Sequence, residues 1–182
     1  MNRLKKFMII FGTAIFLGVL FGSLFKSSYF NELKTVMDRY STDVVNHSLY
    51  MGVGENCVLF VKIMVKRGMP FFLLWMLSDN RKFRLPLIAG ICIYEGFILG
   101  FVCCFFVYAY AGFAIKLIPA YYFPHYLLYT VAYGLSMLYI TSGLSKRKGI
   151  LIIILSGILM AGILTETLVN PELLARVLRS LV

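Results

Sequence analysis

Glu95 is the one carboxylate in the apolar run LIAGICIYEGFILGFVCCFFVYAY (87–110). Ionised and facing lipid it would cost several kcal/mol, so the sequence requires it to be protonated, paired or turned toward water. Two cations suit it. Lys62 and Lys66 lie one helical turn apart on a neighbouring segment and share a face. A carboxylate among such groups carries protons or ions in some membrane proteins and pins helices together in others. A relay needs a chain of ionisable groups, and only His125, after Pro124, joins Glu95 on these spans. A structural ion pair is the favoured expectation. Glu166, near the outer end of the last apolar run, is expected to reach out to the headgroups.

Hydrolytic chemistry finds no support. His47 and His125 have no Asp or Cys at motif spacing, HExxH is absent, and no Gly-rich loop opens a helix toward a phosphate. Cys57, Cys92, Cys103 and Cys104 sit inside apolar stretches without a histidine at metal-ligand spacing, and read as small buried hydrophobes. The expectation is a protein that is not an enzyme, with no catalytic residues, no cofactor and no metal.

The elements that must position these groups are membrane helices. Over 182 residues the chain is 60% hydrophobic and 14% charged, with a mean hydropathy of +0.85. That composition belongs to an all-α polytopic integral membrane protein, a helical bundle forming one membrane domain over 1–182. The net charge of +10 falls in short clusters between apolar runs, which marks topology in a lipid bilayer and excludes a nucleic-acid partner.

About five transmembrane helices are expected, at 7–25, 57–77, 85–110, 119–140 and 150–169. The segment 26–56 has apolar residues at helical spacing (Tyr29, Leu33, Val36, Met37, Tyr40) and reads as an extracytoplasmic amphipathic helix. The tail 171–182 is amphipathic as well. SDNRKFR links the second span to the third, and Pro119 and Pro124 interrupt the approach to the fourth. Segment 57–77 is the exception among the spans. Lys62, Lys66 and Arg67 occupy its first half, and the roughly 11 apolar residues that follow cannot cross about 30 Å of hydrocarbon alone, so it either packs behind other helices or re-enters.

Three basic residues at the N-terminus, three at 81–84 and three at 146–148 place those ends inside. The N-terminus is then cytoplasmic and the C-terminus extracytoplasmic. Small residues mark where helices meet: Gly18 with Gly22, Gly96 with Gly100, and Gly157 with Ala161. Internal packing is favoured over a homo-oligomer at each pair.

The order of short motifs resembles the stage II sporulation protein M family. LGVLFGSLF closes the first span, FFLLWMLSD and a Leu-Pro turn, RLPLI, precede EGFILGFV, and FPHYLLYTVAY opens the fourth span. The likeness extends from about Phe7 to Leu168. Relatives carry Pro-His-Gly followed by Glu where this chain has PHYLLY, with Tyr126 and Tyr129 in those places, so chemistry on that motif is not implied here. What the resemblance implies is a scaffold of the bacterial cytoplasmic membrane at the sporulation septum. There it would recruit peptidoglycan hydrolases, an amidase and a lytic transglycosylase, for forespore engulfment. The surfaces expected to meet them are 26–56 and the C-terminal tail. The competing expectation is a permease-like transporter subunit driven by a separate ATPase, with Lys62, Lys66, Glu95 and His125 lining a polar cavity broken by Pro119 and Pro124.

Overall fold

In a computed structural model, the structure describes residues 3–24, 29–37, 53–142 and 148–179, and among them every regular element is helical. The elements are α1 (Arg3–Leu24), α2 (29–37), α3 (Val53–Met76), α4 (Arg81–Tyr110), a 3-10 turn (Ala111–Phe113), α5 (Ala114–Tyr122), α6 (His125–Ser142), α7 (Lys148–Leu164), a π turn (Thr165–Val169) and α8 (Asn170–Arg179). The all-α expectation holds. Three stretches, Lys5–Leu24, Lys82–Tyr122 and Lys148–Leu174, are long and apolar enough to cross a membrane, which makes this a membrane-associated protein. The expected spans 57–77 and 119–140 are not among them. Lys62, Lys66 and Arg67 lower the apolarity of α3, while 119–140 is divided between α5 and α6 by the turn at Phe123 and Pro124.

Helix boundaries follow from caps rather than from where apolarity begins. The Asn80 side-chain carbonyl accepts the Lys82 N–H at 3.1 Å and its backbone carbonyl accepts that of Arg84 at 3.0 Å. That cap starts α4 four residues ahead of Leu85 and converts the end of the expected SDNRKFR link into a first helical turn. Pro86 therefore lies inside α4, where a Leu-Pro turn was expected. At the other end of α4, Ala111 takes a left-handed conformation (φ 43°), and Gly112 follows it before α5 begins. Pro124 caps α6, its carbonyl accepting the Leu128 N–H at 3.4 Å.

Two compact units divide the chain. The first comprises Met1–Tyr50, Ala89–Tyr121 and Pro171–Val182. Its α1 and α4 approach so closely that a side chain cannot fit at the crossing. A Cβ on Gly18 would strike the Phe97 carbonyl oxygen, one on Gly100 the Ile15 carbonyl oxygen, and one on Gly96 would stand 2.7 Å from the Phe11 carbonyl oxygen. Gly22 meets the Cys104 Cβ at 3.0 Å in the same sense. Beside this crossing Phe30, Phe105, Phe106, Ala114, Leu117 and Leu174 form a buried cluster that joins α2, α4, α5 and α8. Phe30 sits edge-on to Phe101 and Phe105, each at 5.4 Å between ring centres, a geometry contributing about 0.5–1.5 kcal/mol per pair beyond burial.

Met51–Ile88 and Tyr122–Asn170 make up the second unit. Here α3, α6 and α7 pack together over Phe71, Leu74, Trp75, Ala132, Leu155, Leu159 and Ile163. The buried Trp75 indole donates to the Ser136 hydroxyl at 3.1 Å. Arg84 donates to the Ile140 carbonyl at 3.2 Å, satisfying an acceptor in the last turn of α6. Lys148, at the start of α7, donates to both Asp79 carboxylate oxygens at 2.7 Å, and this partner holds the exposed Asp79 carboxyl below its ordinary pKa. Gly157 and Ala161 are exposed, and nothing lies within 4 Å of a Cβ added to Gly157. The close approach on α7 is made instead at Gly162, where an added Cβ would stand 2.6 Å from the Tyr129 ring.

Substituting the crossing glycines separates these two situations. Gly100→Ala forces backbone apart at the α1–α4 contact and should cost about 1–3 kcal/mol, read as a lowered thermal midpoint in detergent. Gly157→Ala should stay within about 0.5 kcal/mol of the parent. Equal midpoints for the two variants would refute the close crossing.

Candidate functional site

Within the second unit, α3, α6 and the π turn bring charged and polar side chains into one cluster. Local backbone irregularity builds it. Pro70 lacks the N–H that would continue the α3 ladder, and one turn before it the Arg67 carbonyl accepts a hydrogen bond from the Tyr133 hydroxyl of α6. The π turn is closed by the Asn170 N–H reaching back to the Thr165 carbonyl. Pro171, which follows, has no N–H to offer the Thr167 carbonyl. Hydroxyls cover other carbonyls of the widened helix: Thr165 donates to Gly162 and Thr167 to Ile163, both at 2.8 Å. Isolated π turns of this kind are frequent at functional positions.

Glu166 projects from that turn. Its Oε2 accepts the Tyr129 hydroxyl at 2.6 Å and lies 3.6 Å from Arg67 Nε. The Arg67 guanidinium also stacks over the Tyr129 ring, 5.0 Å from its centre. The absence of a Cβ on Gly162, one turn before Glu166, lets the Tyr129 ring lie against α7 and its hydroxyl reach the carboxylate. His125, one turn before Tyr129, is 2% exposed, meets the Tyr129 ring edge-on at 5.8 Å, and has no hydrogen-bond partner for its buried Nδ1. The side chains of Arg67 and Glu166 are 11% and 18% exposed. At that depth the tyrosine hydroxyl and the ring face add to the ion pair, and removing either charge is costly.

The residues singled out from the sequence are distributed differently. Gly18, Gly22, Gly96 and Gly100 come together at the α1–α4 crossing of the first unit, whereas Gly157 and Ala161 stand exposed in the second. Glu95 is half-buried in the first unit, and Lys62 and Lys66 are exposed on α3 in the second. Pro124 caps the helix that begins with His125. Of the expected polar residues that lie in the second unit, His125 joins the cluster, while Lys62 and Lys66 are exposed. Glu166, expected to reach the headgroups, is instead held by Tyr129 and Arg67. Arg67 and Tyr129 belonged to no expected site, although Arg67 three residues before Pro70 and the polar triplet Thr165-Glu166-Thr167 in an apolar run were visible signals.

Among the described residues no group of three or more His, Cys, Asp or Glu side chains is placed to hold a metal ion. His47 lies outside the described residues. Cys57 is an exposed free thiol, Cys92 is buried, and Cys103 and Cys104 are half-buried. Comparison with protein-family models, with curated proteins and with solved structures returns no match to this chain.

Glu166→Gln removes the carboxylate that faces the buried Arg67 guanidinium and should cost about 3–5 kcal/mol. Tyr129→Phe removes one hydrogen bond to a charged acceptor and should cost about 1.5–3 kcal/mol. In thermal denaturation the double variant should lose less than the two single losses combined, because both act on one carboxylate. Additive losses would show that the groups do not act as one cluster.

Proposed function

We propose that the chain is a non-enzymatic scaffold of the bacterial cytoplasmic membrane, of the kind its resemblance to the stage II sporulation protein M family implies. It crosses the bilayer five times, with the N-terminus in the cytoplasm and the C-terminus outside. Its extracytoplasmic face holds peptidoglycan-degrading enzymes, an amidase and a lytic transglycosylase, at the septum during forespore engulfment.

One observation supports this reading. The three segments that loop charge assigns to the outside are 26–56, the link bearing Lys116 and the C-terminal tail, and helices from all three share the cluster of Phe30, Ala114, Leu117 and Leu174. Segments on opposite faces of a bilayer could not share a core. On this common base Glu32 and Thr35 of α2, and Glu172 and Arg176 of α8, remain exposed, which gives the platform a polar surface for a partner. The alternative, a permease-like subunit driven by a separate ATPase, draws its support from the buried charges of Arg67 and Glu166 beside His125.

Mild-detergent purification of the tagged full chain from its native host during starvation distinguishes the two. The scaffold should bring down septal wall hydrolases, and recovery of an ATPase in their place would favour transport. Topology is read separately in intact cells, on a background free of the four native cysteines. A membrane-impermeant maleimide should label Thr35→Cys and spare Lys82→Cys; labelling of both or of neither would overturn the five-span arrangement.

A further inference from the structure

The exposed face of α3 combines two features that a single ligand would satisfy. Val58, Val65, Met69, Phe72 and Met76 follow one another at spacings of seven, four, three and four residues, and each is more than half exposed. Lys62 completes the stripe between Val58 and Val65, and Lys66 stands beside it one turn further on. α3 packs on α7, which is apolar enough to cross a membrane. The two lysines precede Met76 by fourteen and ten residues, about 21 and 15 Å along the helix axis.

Uncompensated ammonium groups at that depth of a hydrocarbon layer about 30 Å thick are expensive. Between Cys57 and Met76 α3 carries no acidic residue, and Glu55 at its start precedes Lys62 by seven positions, about 10 Å along the axis. The nearby Glu166 is engaged by Tyr129 and Arg67, and Asp79 by Lys148. Helical side chains lean toward the helix N-terminus, so both lysines extend away from the apolar Met69–Met76 half and toward the headgroup layer at the start of α3. A phosphate belongs at their tips, and acyl chains fit the stripe below it.

We infer that Lys62 and Lys66 bind the phosphate of an anionic membrane lipid whose acyl chains lie along Val65, Met69, Phe72 and Met76. The site requires α3 to lie in the bilayer beside α7 and is independent of the scaffold role. Guanidinium groups in place of the lysines would bind the same phosphate.

Native mass spectrometry of the full chain released from mixed phosphatidylglycerol and phosphatidylcholine nanodiscs tests this directly. The parent should retain phosphatidylglycerol preferentially. Lys62→Gln and Lys66→Gln should each reduce that preference about fivefold, the effect of one cation near an anionic surface, and the double arginine variant should keep it. Equal retention of the two lipids by the parent would overturn the inference, as would an unchanged preference in the double glutamine variant. Displacement of the lipid by inorganic phosphate would likewise overturn it, assigning the lysines to a free anion. Since both lysines are exposed, their replacement should leave the thermal midpoint unchanged.

Discussion

Lipid supplies no hydrogen bonds, so a backbone N–H or C=O left unpaired inside it must find a partner within the protein. In this chain that constraint produces helices throughout the described residues and makes each departure from regular helix conspicuous. Pro70 interrupts α3, and the Tyr133 hydroxyl bonds a carbonyl in the disturbed turn. The π turn widens the end of α7, and the hydroxyls of Thr165 and Thr167 bond carbonyls one turn back. Irregular backbone and polar side chains therefore occur together, and the polar cluster of the second unit stands where they do.

The two units use opposite means of holding helices together. In the first, glycines remove side chains at the α1–α4 crossing so that dispersion between backbones replaces a hydrophobic drive that lipid cannot provide. In the second, Gly162 makes room for one large aromatic ring, whose hydroxyl and face then bind Glu166 and Arg67. Glycine thus serves backbone contact in one unit and the seating of a polar cluster in the other. A charge pair inside apolar surroundings adds less net stability than its Coulomb attraction suggests, but it strongly penalises any arrangement that separates the partners. Arg67 and Glu166 accordingly specify one register of α3 against the end of α7.

Exposure in a membrane protein carries a different meaning from exposure in water. The apolar side chains along α1 are exposed because acyl chains are the solvent of a helix apolar enough to cross a membrane, as those of α3 would be in the bilayer. Among them a lysine is the unusual residue, much as a lone carboxylate is in a soluble core. Lys62 and Lys66 stand out for that reason, while the exposed pairs Asp79–Lys148 and Arg176–Glu172 contribute little beyond local order.

Composition alone determined the membrane class and the helical fold, because a chain this apolar has no other way to satisfy its backbone in lipid. Spacing also singled out Gly18, Gly22, Gly96 and Gly100, since small residues four apart have one obvious use on an apolar helix. Tertiary structure decided which polar groups meet. Glu166 lies 37 residues beyond Tyr129, and helices α4 to α7 separate it in sequence from Arg67; neither periodicity nor local charge reveals such distant neighbours. It also decided that Gly157 and Ala161 stay exposed while Gly162 is used, a shift of one residue set by the position of the Tyr129 ring. Helix starts were obscured for a related reason: Asn80 begins α4 through a local cap, and caps compete with hydropathy on equal terms where the chain leaves the membrane.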